Sequence, residues 1–174
     1  MTRKLNKDDK VFEIFSFLSE LSISNYFELK QESNYAEEIV RANMPYKPGV
    51  YLVYSLDNHS ENKKLLYYGK AGVTANGKNP KLNYHQLPQR LLATVQLSEN
   101  HEFFTGKKPK NYSSSKKDAR RSKLWPWYVK NHFKNGIRIY WFITDFFKGE
   151  DPNDYECKIK NEIKISLLNW RKSI

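Results

Sequence analysis

Two tyrosines and the small residues beside them are the first candidates for chemistry. Gly49-Val50-Tyr51 opens a run of strand formers, Val50 to Tyr54, directly after the turn signal Tyr46-Lys47-Pro48-Gly49. Tyr67-Tyr68-Gly69-Lys70-Ala71 closes the next run, which begins at Leu65. The polar stretch Asp57 to Lys64 between them has the length of a hairpin loop, so the two runs are expected to pair antiparallel. Strand periodicity puts Tyr51 and Val53 on one face and Val50, Leu52 and Tyr54 on the other. Tyr51 and Tyr67 then face each other across the hairpin if the register permits. A tyrosine pair in a hairpin is more often packing than catalysis. Its chemistry would come from the phenol, whose unperturbed pKa of about 10 makes it a poor base at neutral pH. A nearby cation favours phenolate and lowers that value, and Lys70 and Arg90 are the cations expected to do so.

The elements that must hold these residues can be read from periodicity and punctuation. Val11, Phe12, Phe15, Leu18 and Leu21 recur at three- and four-residue steps and predict a first helix, with Asp8 or Asp9 as caps. A second helix is expected from Asn34 to Ala42, ending before Pro45. Past Gly72, a loop rich in Gly, Asn, Lys and Pro runs to about Tyr84. Leu87 to Gln96 then reads as a helix with Pro88 in its first turn. A further helix is expected around Leu124 to Phe133, stopped by Asn135-Gly136. Ile137 to Thr144 is apolar or aromatic on both faces, which predicts a third strand covered on both sides. The last helix is expected from Pro152 to Leu168, with Asp151 as N-cap and an apolar stripe of Tyr155, Ile159, Ile163 and Leu167. Helices, hairpin, helices, strand, helix is an α+β order.

Composition narrows the partner. The 174 residues favour one domain, and 39% hydrophobic with 15% aromatic residues supplies a core, which excludes a wholly disordered chain. Thirty Lys and Arg against nineteen Asp and Glu give a formal +11, which biases the protein towards polyanions. No run of eighteen apolar residues exists, so no membrane-spanning helix is expected. The basic start is not followed by the apolar core of a secretory signal. The one cysteine, Cys157, forbids an internal disulfide and a cysteine-based zinc site, and a reducing cytoplasm fits best. Lys107, Lys108, Lys110, Lys116, Lys117, Arg120, Arg121 and Lys123, interleaved with Ser and Asn, suit a loop that tracks a phosphate backbone. Charge runs are more often simply solvated. Trp125 and Trp127, just after it, could wedge between bases but more often such residues anchor a helix.

Taken in order, these pieces resemble the GIY-YIG nuclease family. The first motif stands as Gly49-Val50-Tyr51 and the second as Tyr67-Tyr68-Gly69; Lys70-Ala71, a helix arginine at Arg90, a late-helix glutamate at Glu156 and Asn169 beyond it follow. The resemblance covers roughly residues 46 to 170. It implies a three-stranded antiparallel sheet flanked by helices, and metal-dependent hydrolysis of a nucleic-acid phosphodiester. It implies that Tyr51 or Tyr67 orients or deprotonates the water, with Tyr51 the first choice, and that Arg90 holds the scissile phosphate. Glu156 would be the single carboxylate ligand of Mg²⁺, or of another divalent cation such as Mn²⁺, with Glu162 as rival. Water and phosphate oxygens would complete the shell. Many members carry His or Tyr four residues after the helix arginine; this chain has Thr94, and Tyr84 or His85 could substitute as proton donor.

The expected organisation is an N-terminal helical extension, residues 1–45, and a nuclease domain, residues 46–174, with a basic insertion near 101–124. The expected activity is that of a restriction-type endonuclease, bacterial or phage-encoded, on double-stranded DNA. Cleavage of both strands would call for a homodimer or sequential nicking. The rivals are a homing, mobile-element or repair nuclease, and a nucleic-acid-binding module that has lost turnover.

Overall fold

The sheet is built around the two strands that sequence places most firmly. In the computed structural model, residues 3–5, 10–56, 65–74, 81–82, 86–99 and 134–163 are described. β3, Gly49–Ser55, is buried at all seven positions and pairs antiparallel with β4, Leu65–Ala71, the expected hairpin. Its other neighbour is β7, Ile137–Ile143, also antiparallel. These three strands are the ones expected. A fourth, β2, Ile23–Leu29, extends the sheet beyond β7, and the two-residue β1, Arg3–Lys4, caps that edge. The order is β1-β2-β7-β3-β4, with a separate two-stranded ribbon of β5, Val73–Thr74, and β6, Lys81–Leu82.

The expectation of three strands is therefore corrected to four long ones. Residues 1–45 are not only helical: they supply a strand of the main sheet. Asn25 and Glu28 interrupt β2 with residues depleted in strands, and its long ladder partner, β7, lies more than a hundred residues away. Only the paired register, Ile23 opposite Ile143 through Leu29 opposite Ile137, fixes it as a strand.

The alternation read from the hairpin divides the core in two. Tyr51, Val53, Leu66, Ile139 and Trp141 pack on one face with Tyr35 and Ile39 of α2, Tyr35–Arg41, and Leu87 and Leu91 of α3, Leu87–Glu99. Val50, Leu52, Tyr54, Tyr140 and Phe142 pack on the other. That second face is covered by Val11, Phe15 and Leu18 and by Tyr155 and Ile159 of α4, Pro152–Glu162. Burying these side chains is the main stabilising force, at roughly 25 cal/mol per Å² of apolar surface.

Local signals set the helix ends. Asn34 accepts a hydrogen bond from the Glu37 backbone N–H and donates to its carboxylate, which caps α2. Asp151 accepts from the Asn153 backbone at 2.8 Å, and Pro152 takes the first turn of α4, as expected. α4 ends at Glu162, short of the expected Leu168, because Ile163 turns extended. The first helix is also broken: α1 spans Lys10–Ile14, Phe15 leaves helical geometry, and a 3₁₀ turn runs Ser16–Glu20. Val11, Phe15, Leu18 and Leu21 are nonetheless buried, so the apolar spacing was meaningful even though the helix is not continuous.

Candidate active site

The hairpin register decides where the phenols go. Tyr51 lies opposite Gly69, and Val53 lies opposite Tyr67, so the two tyrosines are diagonal neighbours on one face. A bulge at Leu66 shifts the register between Val53 and Tyr54 and puts Leu66 and Tyr67 on that same face. The rings meet with centroids 6.0 Å apart at 39°. Gly69 makes this possible. A Cβ there would come within 2.7 Å of Tyr51 Cζ and Oη, so the Tyr51 ring lies across the bare backbone of the edge strand. Gly49 is constrained in the same way, since a Cβ would collide with the Phe142 carbonyl and Leu87. Both motif glycines are close-approach positions.

Two charges reach Tyr67 from opposite sides of the sheet. Arg90 stands on α3 between the core residues Leu87 and Leu91, and its positive charge favours the Tyr67 phenolate. Glu156 stands on α4 next to the core residue Tyr155, and its negative charge opposes phenolate. A hydrogen bond with Tyr51 favours it again. Burial outweighs all of these and pushes the Tyr67 hydroxyl above its usual value. The expected lowering by cations is thus not the net result. Arg90 pulls in the expected direction and is outweighed.

Lys70 has a different neighbour from the one expected. It pairs with Val50 and points to the second face, away from the Tyr51 side. There its Nζ lies 2.6 Å from Glu156 Oε2, with the side chains 28% and 29% exposed. The candidate residues wrap the edge strand β4: two tyrosines and Arg90 on one side, Lys70 and Glu156 on the other.

No family model, curated protein or solved structure matches the chain. What the site can do rests on its own geometry. Thr94 is buried and donates its hydroxyl to the Arg90 carbonyl at 2.8 Å, one turn back along α3. Its hydrogen bond is made within the helix, so it supplies no proton at the site. Glu162, the rival carboxylate, is exposed at the end of α4, six residues on and off the face that carries Glu156. Asn169, Tyr84, His85, Trp125, Trp127 and the basic residues from Lys107 to Lys123 lie outside the described residues.

The described donor set fits one kind of metal only. Among the described residues no group of three or more His, Cys, Asp or Glu comes together, and Glu156 is the one carboxylate in the cluster. A hard divalent cation that completes its shell with water and phosphate oxygens fits a single carboxylate; a zinc-type site does not. The sequence reading missed that Lys70 is this carboxylate's partner. The signal was there only in part: Lys70 stands three residues after Tyr67 on one strand, and alternation puts it on the opposite face.

Proposed function

We propose that the chain is a metal-dependent endonuclease of restriction type, hydrolysing phosphodiester bonds of double-stranded DNA. The observation that carries this reading is the cluster at β4: a hydrogen-bonded tyrosine pair in ring contact, with an arginine on one side and a lysine–glutamate pair on the other. The formal charge of +11 supports a polyanionic substrate.

In this reading Arg90 binds the non-bridging oxygens of the scissile phosphate and stabilises the charge that builds there. Tyr51, fixed across Gly69, orients the attacking water and, in its phenolate form, takes up the water's proton to become the phenol, and Tyr67 keeps Tyr51 in place through their hydrogen bond. Glu156 would hold Mg²⁺ or Mn²⁺, which supplies Lewis-acid stabilisation of the phosphate and leaving oxygen when bound. Lys70 brings a further positive charge to the same edge. Bringing these groups together is a large part of the rate effect, because little covalent chemistry is required of the protein.

The test is incubation with supercoiled plasmid and mixed-sequence DNA, with Mg²⁺ or EDTA, beside Glu156→Ala. Discrete Mg²⁺-dependent fragments are expected from the wild type. In the variant, cleavage should fall at least about 100-fold while DNA retention in a gel shift stays nearly intact. Retarded but uncut DNA across all sequences would overturn the enzymatic reading. It would favour a binding module of the same fold, a reading supported by one observation, the Thr94 hydroxyl turned into its own helix.

A further inference from the structure

We infer that Lys70 is a built-in counter-cation for Glu156, which keeps a divalent metal off this carboxylate until a DNA phosphate draws the ammonium away. The inference rests on the nuclease reading above and adds an order of binding to it. The Lys70 Nζ to Glu156 Oε2 distance is 2.6 Å, and over two thirds of each side chain is withdrawn from solvent, so screening of the pair is reduced. The partners come from different elements, the edge strand β4 and the helix α4, each anchored by its own core residues. The contact is therefore held by the fold and not by two free side chains meeting.

Competition follows from charge. An ammonium and a divalent cation seek the same carboxylate oxygen, and with Lys70 in place the pair is neutral overall. No group of three or more His, Cys, Asp or Glu is gathered there among the described residues to offset the lysine. A phosphodiester changes this balance. Its oxygens can accept from Lys70 while also offering ligands to the metal, and Arg90 brings a second positive charge from the other side of the strand. DNA and metal are then linked: each strengthens the binding of the other by the same factor.

The test uses the full chain without DNA and Mn²⁺ as probe, followed by electron paramagnetic resonance. Lys70→Met should bind Mn²⁺ about five- to tenfold more tightly than wild type. Lys70→Arg, which keeps the charge, should stay near wild type, and Glu156→Gln should lose the site. Circular dichroism melting of each variant checks the fold. The reciprocal arm is fluorescence anisotropy of a labelled duplex in EDTA and in Ca²⁺. The gain in DNA affinity on adding Ca²⁺ should be larger for wild type than for Lys70→Met. Unchanged Mn²⁺ affinity in Lys70→Met, with the site still lost in Glu156→Gln, would overturn the exchange and leave the nuclease reading standing. Equal tightening by Lys70→Arg would overturn it too. Absence of Mn²⁺ binding at Glu156 in every variant would overturn both.

Discussion

Among the described residues, two clusters of tyrosine, arginine and glutamate are arranged in opposite ways. On the second face of the sheet, Tyr26, Tyr140 and Tyr54 pack in a row, with ring centroids 5.5 Å apart at each step, tilted at the first and edge-on at the second. Arg138 lies over Tyr26 at 4.4 Å, donates to the Tyr140 hydroxyl at 3.1 Å and pairs with Glu28 from the neighbouring strand. Every donor edge of that guanidinium meets a partner close by. At β4 the same residue types stay apart. Arg90 acts on Tyr67 through its field, and Glu156 takes its partner, Lys70, from the other face. A cation, a phenol and a carboxylate make adhesive when they satisfy one another. They make a candidate site when a tyrosine pair separates the arginine from the carboxylate, so that the two do not satisfy one another.

The largest expected effect sharpens this contrast. Tyr51→Phe should lower the initial rate of plasmid cleavage about 100-fold, at the lower end for loss of a general base. Tyr67→Phe should lower it by less, since it acts through Tyr51. Tyr140→Phe, which removes the same hydroxyl from the other cluster, should leave the rate within about twofold. Equal damage from Tyr140→Phe would break the comparison, because the two clusters would then not differ in function.

How far the two clusters could be read from sequence differs for a physical reason. The hairpin, its faces and both helix caps depend on neighbours within a few residues: Lys47-Pro48 before β3, alternation along Val50–Tyr54, Asn34 and Asp151 before their helices. These local signals suffice for Tyr51 and Tyr67. The row around Arg138 needs β2, and β2 is fixed only by its long-range ladder to β7; Arg138 and Glu28 are separated by 110 residues. The Lys70–Glu156 pair is long-range for the same reason. The Tyr51–Tyr67 contact was legible from the hairpin; the Lys70–Glu156 contact between a strand and a distant helix was not. The direction of the Tyr67 shift was misread likewise, because burial depends on what α3 and α4 place over the strand.

A middle-sized effect separates the two arginines. Arg138→Met should destabilise the protein by roughly 1–2 kcal/mol in urea unfolding, through loss of the Tyr140 hydrogen bond, the stacking on Tyr26 and a half-exposed ion pair. The ion pair is the smaller part, since the Glu28 side chain is 40% exposed. Arg90→Met should change stability by no more than about 0.5 kcal/mol while weakening DNA retention and cleavage. The reverse pattern would mean that Arg90 is the structural residue and Arg138 the ligand-facing one.

The smallest expected effect probes the buried end of the tyrosine row. Tyr54 is 4% exposed, and its hydroxyl has no hydrogen-bond partner among the described residues. An unpaired buried hydroxyl costs free energy, so Tyr54→Phe should stabilise the protein by about 0.5–1 kcal/mol at pH 8 while keeping the ring against Tyr140. The same burial, with the nearby Tyr140 adding to it, pushes the Tyr54 hydroxyl well above its usual value. Its raised pKa means that the folded state keeps this proton where the unfolded chain, with a pKa of about 10, releases it. The contribution of Tyr54 to stability is therefore complete below about pH 10 and declines as pH rises above it. Phenylalanine has no proton to release, so the advantage of the variant should widen between pH 10 and pH 11. A difference that stays flat from pH 8 to pH 11 would mean the hydroxyl has a partner or solvent, and the row would be less closed than the Arg138 cluster requires.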